Sequence, residues 1–207
     1  MSRGKLVALE GGEGTGKSTQ SRMLVEALRT RGFPVVATRE PGGTIGAEAI
    51  RALLLDPPGE GWGARAEALL FAAARADHVE RLIAPALQRG EWVVCDRFVD
   101  SSRAYQGGAG GLGDTAISQL HAIGSGGLRP DMTLVVDVPA ERTAARLALR
   151  DGSDSDAIGG RDGAYHAAVR DRFLSIAGND DRVHLIDGDG TPDEVHARIL
   201  AALEPLF

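Results

Sequence analysis

Residues 5–19, KLVALEGGEGTGKST, constrain this chain more than any other stretch. An apolar run, Leu6-Val7-Ala8-Leu9, closes in Glu10. Gly11, Gly12, Glu13, Gly14, Thr15, Gly16, Lys17 and Ser18 then satisfy the phosphate-binding pattern G-x-x-x-x-G-K-[ST], with Thr19 following. The glycines let the backbone turn tightly enough to aim several N–H groups at one anion. Lys17 brings a mobile positive charge to β- and γ-phosphates, and the Ser18 hydroxyl is a ligand type that Mg²⁺ accepts. An apolar strand before the loop and a helical pattern after it put the phosphates at a helix N-terminus. The chain has 28 Gly but only two Lys, Lys5 and Lys17, so a glycine-rich turn beside an unrelated lysine explains the match poorly.

A chain of 207 residues suits one α/β domain with an insert. The net charge of −6 argues against broad electrostatic binding of nucleic acid or of an anionic membrane. Nearly all of the 23 basic residues are Arg, whose planar fork grips phosphate or carboxylate with two bonds. A single cysteine, Cys95, excludes an internal disulfide and fits a reducing compartment. The first residues run straight into the phosphate loop, with an apolar run too short for a signal-peptide core, and no run reaches membrane-span length. The expected location is the cytoplasm.

Strands are expected at about 5–10, 34–38, 91–96, 132–138 and 183–187, all buried apolar runs. Helices are expected at about 16–31, 45–55, 64–89 with a bend before Pro85, 114–123, 140–150 and 192–203. Residues 97–113, rich in glycine, read as partly loop. Strands that alternate with helices and are apolar throughout predict a five-stranded parallel sheet covered on both faces. Residues 151–163, DGSDSDAIGGRDG, are small and polar, which predicts a mobile segment that serves either as an active-site lid or as an ordinary solvated loop.

Ligands of such sheets sit beyond the carboxyl ends of the strands. Asp96 closes the third strand, where it suits Mg²⁺ directly or through water, or else caps a helix or pairs with a base. Arg97 follows at once, and Arg39 and Glu40 follow the second strand. Two arginines beside the phosphate loop point to an acceptor that is itself a phosphate, because transfer between polyanions needs positive charge to offset repulsion.

GGEGTGKST, TREPGGT at 38–44, LLFAAAR at 69–75, DRFVDSSRAYQG at 96–107 and PDMTLVVDVP at 130–139 resemble the bacterial thymidylate kinase family in order and spacing. The likeness covers nearly the whole chain, and TREPGG and AYQG are more specific than the phosphate loop. The resemblance implies ATP and dTMP as substrates, Mg²⁺ held through Ser18 and Asp96, and a homodimer formed by helix packing. It implies that Arg39 and Arg97 hold the dTMP phosphate. Phe71 stacks on thymine, and Arg75 bonds its carbonyl edge. Glu13 approaches the sugar 3′-OH, and Tyr105 lies against the deoxyribose. Ser101, Ser102 and Gln106 surround base and sugar. From the residues alone, Phe71 reads as core and Tyr105 as a partly buried structural tyrosine.

Some members of that family carry the catalytic arginine inside the phosphate loop and others in the lid. Gly14 here resembles the second type. The lid departs from the family pattern, with Ala157 after Asp156, then Ile158-Gly159-Gly160-Arg161. The candidates are Arg161, favoured, and Arg146 and Arg150 on the preceding helix, with Arg146 also expected near ATP. Another nucleoside monophosphate kinase, or an ATPase or regulator that couples hydrolysis to a partner, stays open as an alternative.

Overall fold

The computed structural model describes residues 3–139, 141–143 and 157–207. Five strands form one parallel sheet: β1 (Leu6–Glu10), β2 (Val35–Arg39), β3 (Trp92–Asp96), β4 (Met132–Asp137) and β5 (Val183–Asp187), in the order β2-β3-β1-β4-β5. Alternation along β1 divides the core between the two faces. Val7 and Leu9 point to one face, where Leu24 and Leu28 of α1 (Lys17–Thr30) meet Ile199 and Leu203 of the C-terminal helix at Pro192–Leu203. Leu6 and Ala8 point to the other, against Val79, Ile83, Phe98 and Val99. A third cluster joins Tyr105, Val135, Phe173 and Ile176.

The sheet order corrects one expectation. β2 and β5 are the two edge strands, so each is only partly buried; Arg39 at the end of β2 is exposed, and so is Leu185 within β5. The same order brings β2, β3 and β1 side by side, so three functional strand ends share one rim.

After α1 come α2 (Ile45–Leu55), α3 (Ala64–His78), α4 (Ala84–Gln88) and α5 (Val99–Ser102). Beyond them lie α6 (Asp114–Ser125), α7 (Gly163–Ala177), which the sequence reading did not single out, and α8 (Pro192–Leu203). The bend expected before Pro85 is a wide π turn at Val79–Ile83 between α3 and α4. Proline lacks the N–H for a bond back to Arg81, and its ring needs the room that the wider turn supplies.

Residues 97–113 are more helical than expected: α5 continues into a π helix at Arg103–Ala109. Two glycines that read as loop are there for close packing instead. A Cβ on Gly107 would stand 3.1 Å from Ile117 of α6, and one on Gly108 would stand 2.9 Å from Arg172 of α7. Of the helix expected at 140–150, residues 141–143 are helical, while residue 140 and residues 144–150, including Arg146 and Arg150, lie outside the described residues. So does the 151–156 part of the expected lid; residues 157–160 form a turn.

Phe173 is fully buried at the junction of α7, the π helix and the sheet. Phe173→Ala should destabilise the fold by about 3–5 kcal/mol, read from urea unfolding with an unchanged slope.

Candidate active site

Glu10 ends β1 with no exposed surface. A buried carboxylate at the end of an apolar strand requires donors. Oε1 accepts from Phe98 N at 2.8 Å and Ser101 N at 2.9 Å, and Oε2 accepts from Ser101 Oγ at 2.6 Å. Both N–H groups belong to the first turn of α5, so Glu10 caps that helix from the neighbouring strand. Burial raises its pKa to about 7, Asp100 pushes the same way, and Arg97 opposes them.

Arg97 lies between β3 and α5 with φ 71, in the left-handed region. Its N–H donates to Leu9 O at 2.9 Å. Nη1 donates to Gly11 O at 3.0 Å and to Ser101 Oγ at 3.1 Å, and Nη2 donates to Glu13. The guanidinium therefore ties the β3 rim to the phosphate loop. The Arg97 charge beside Glu13 is the main reason that the Glu13 carboxyl titrates at about 2.

The loop approaches β4 so closely that a Cβ on Gly11, at φ 135, would lie 2.4 Å from Val136 O. Lys17 is buried beneath the loop, and its Nζ donates to Gly12 O at 2.5 Å. Burial, aided by Arg97, lowers its pKa to about 8. Gly16 and Lys17 open α1, and Ser18 Oγ donates to Asp96 Oδ2 at 2.6 Å. A serine hydroxyl and a carboxylate side by side at a strand rim are the hard oxygen donors that Mg²⁺ takes.

A cleft of about 150 Å³ opens beside the loop. It brings together Glu13, Phe71, Arg97, Ser101, Tyr105 and Gln106, all named from the sequence, with Arg51, Pro41 and Ile158, which were not. Phe71 is half-buried on the cleft wall rather than a core residue. Tyr105 is buried with its hydroxyl 3.3 Å from Glu13 Oε1 and the Arg97 guanidinium 5.2 Å from its ring centre. Arg75 and Ser102 lie behind the wall. Arg75 Nε donates to Glu40 Oε2 at 2.7 Å, and Nη2 donates to Ser102 Oγ at 3.0 Å.

Arg39 and Arg161 do not line this cleft either. Arg39 is held by Glu48 at 2.9 Å and lines a second cleft with Ser18 and Asp96, so the two arginines expected on one phosphate face different hollows. Arg161 pairs with Glu67 and with the Tyr165 hydroxyl, in a hollow formed with Trp62. Arg146 is outside the described residues. Thr15, Gly16 and Thr19 line a further hollow with Gly188, Gly190 and Pro192.

Sequence reasoning passed over Glu10, Arg51, Glu67 and the 188–192 loop. Glu10 had a signal: a carboxylate closing an otherwise apolar strand must be neutralised by something. Arg51 also had one, as the lone cation of the apolar helix IGAEAIRALLL. Nothing local marks Glu67, whose partners Gln106 and Arg161 are far away in the chain.

A family model described as thymidylate kinase matches residues 9–199. A thymidylate kinase of Rhizorhabdus wittichii is 57% identical over 205 residues, spanning 99% of both chains. One of Nitrobacter winogradskyi is 47% identical over 203 residues, 97% of this chain and 88% of its relative. The crystal structure of thymidylate kinase from Ehrlichia chaffeensis superposes with a TM-score of 0.77 at 32% identity, covering 97% of this chain and 99% of the other.

The raised Glu10 pKa has a consequence for stability. The folded protein holds this proton up to about pH 7, whereas the unfolded chain releases it near 4.5. The unfolded state therefore binds fewer protons between those values, and stability falls as pH rises through that window. The contribution is about 3 kcal/mol on the scale of 1.36 kcal/mol per unit. Glu10→Gln should remove this part of the pH dependence, measured as unfolding free energy at pH 5 and pH 8. An unaltered difference between those two pH values would refute the assignment.

Proposed function

The chain belongs to the thymidylate kinase family, and from that premise we propose that it transfers the γ-phosphoryl group of ATP to dTMP, giving dTDP and ADP. The observation that carries the reading is the Arg97 bridge. One guanidinium bonds the phosphate-loop carbonyl of Gly11 and also lines the cleft that holds Phe71 and Tyr105. A phosphate acceptor in that cleft would meet the same charge that faces the donor.

In this reading ATP lies along the loop, with its phosphates at the N-terminus of α1 and its nucleoside toward Thr19 and the 188–192 loop. The dTMP phosphate turns to Arg97, its sugar lies between Glu13 and Tyr105, and thymine lies against Phe71. Ser101 and Gln106 flank the acceptor from the π-helical side, and Arg51 adds a cation to the same wall. Arg75 and Ser102 brace that wall from behind, and Arg39 supports the rim beside Asp96. An ionised dTMP oxygen attacks the γ-phosphorus in line while the bond to the β–γ bridging oxygen breaks, and that electron pair leaves with ADP. No covalent intermediate and no strong general base are needed. Lys17 offsets charge on the β- and γ-phosphates, and Arg97 offsets it on the acceptor side. Ser18 and Asp96 would hold Mg²⁺, which when bound supplies further positive charge to the ATP phosphates.

Arg161 is our candidate for the lid arginine, and that role has it exchange Glu67 for the phosphates. The expected homodimer is supported by large apolar side chains exposed on α2, α3 and α6, namely Ile45, Leu69 and Ile123; the mass in solution tests it. A cytoplasmic setting is supported by the lone, buried Cys95. No described helix is long and apolar enough to cross a membrane.

A coupled assay with dTMP, dUMP, UMP, CMP and AMP should favour dTMP by a wide margin, and phosphate release without any acceptor effect would instead favour an ATPase. Lys17→Ala should abolish turnover while dTMP still binds, and near-normal kcat in that variant would sink the loop assignment. Arg161→Ala should lower kcat about a hundredfold or more with little change in the KM for dTMP. An unchanged kcat would remove Arg161 from the chemistry and leave Arg146 or Arg150.

A further inference from the structure

We propose that Glu10 is a positioning residue for phosphate recognition: its carboxylate holds the Arg97 turn and, through Ser101, fixes where the Arg97 guanidinium points. The inference rests on the reading of Arg97 as the acceptor-phosphate ligand.

The geometry forms a relay. Ser101 has one hydroxyl proton and gives it to Glu10 Oε2 at 2.6 Å. Its lone pairs are then free to accept, and Arg97 Nη1 donates to them at 3.1 Å. The other carboxylate oxygen takes the N–H groups of Phe98 and Ser101. It thereby fixes the residue directly after Arg97 and the one four positions on. Among the described residues, Arg97 is the only non-glycine with positive φ. A left-handed arginine costs about 1–2 kcal/mol, so the turn persists because its surroundings over-determine it. Glu10 supplies three of the bonds that do so.

The electrostatics point the same way. Glu10 has no exposed surface, and the charged groups around it are Asp100 of α5, Arg97 of the turn and Lys17 of α1. Asp100 repels it. A buried carboxylate beside a like charge is a poor way to stabilise a strand end, because both burial and Asp100 disfavour its charged form. The carboxylate therefore makes better sense as an orienting group than as a stabilising one. Glutamine keeps an acceptor for the two N–H groups. Its amide nitrogen, however, donates to Ser101 Oγ, which turns the hydroxyl proton away from residue 10 and removes the charged acceptor that aligns a serine lone pair with Arg97 Nη1.

The test compares dTMP with thymidine, which differ only in the phosphate, by calorimetry at pH 8 on wild type, Glu10→Asp and Glu10→Gln. Wild type should bind dTMP the more tightly. In Glu10→Gln the affinity for dTMP should fall at least tenfold, while thymidine binding stays within twofold and the melting temperature is unchanged or higher. Glu10→Asp, which keeps the charge on a shorter arm, should fall between, and it alone decides the matter if the glutamine variant does not fold. Equal losses for both ligands would make Glu10 merely structural, and no loss for either would also overturn the inference. Equal wild-type affinities for dTMP and thymidine would overturn the acceptor-phosphate reading beneath it.

Discussion

Arg97 stands in the left-handed region and spans from the β3 rim to the Gly11 carbonyl, and the working face of the molecule depends on that span. Without it, the phosphate loop and the cleft lined by Phe71 and Tyr105 are two separate features of one sheet edge. With it, they share a charge and a fixed separation. The turn is not stable by its own preference. It is held by Leu9 O on one side and by the Glu10 cap of α5 on the other, so the last two residues of β1 act on the end of β3. This is possible only because β1 and β3 are neighbours, with Leu9 in register with Asp96.

The same rim concentrates opposing charges in little space. Glu10, Glu13, Asp96 and Asp100 face Lys17 and Arg97. Burial moves Glu10 up to about 7 and Lys17 down to about 8, each toward its neutral form. Glu13 moves the other way because Arg97 touches it directly. A group buried without a close opposite charge loses its charge readily, and a group in contact with one keeps it. Anionic phosphates entering the rim favour the charged form of Lys17, so nucleotide binding and Lys17 protonation reinforce each other.

Much of the architecture was legible because parallel strands buried on both faces write themselves as continuous apolar runs, as the three inner strands β1, β3 and β4 do. β2 misled because Pro34-Val35-Val36 has the same composition at an edge as in the centre, and strand order is set by packing that no local pattern reports. The glycines at 107 and 108 misled for a related reason. Glycine marks either freedom or close approach, and only the neighbours, Ile117 and Arg172, say which. In the site, residues carried by contiguous motifs were found: Glu13, Arg97, Ser101, Tyr105 and Gln106 share one cleft. Arg39 and Arg75 were harder. Alternation at the end of β2 sends Arg39 outward and Glu40 inward, and the buried Glu40 then takes Arg75 at 2.7 Å and His78 at 3.2 Å. A sequence motif gives both residues but not which of them faces the ligand.

Arg161 shows the limit most clearly, and also what the fold adds. Its guanidinium is held by Glu67, whose other oxygen accepts from Gln106 Nε2 at 2.8 Å. Because Glu67 is an acceptor only, the amide of Gln106 must turn its nitrogen toward it. One carboxylate on α3 therefore sets both Arg161 and Gln106, a side chain of the cleft beside the phosphate loop. If Arg161 moves to the phosphates, Glu67 keeps only the amide, and its side chain is just 9% exposed. An uncompensated charge at such a site is costly, so the move is favourable only when negative charge at the phosphates outweighs what Glu67 loses. In the proposed lid role, engagement of the arginine would thereby be conditional on phosphate being in place, the condition that favours transfer to the acceptor over transfer to water.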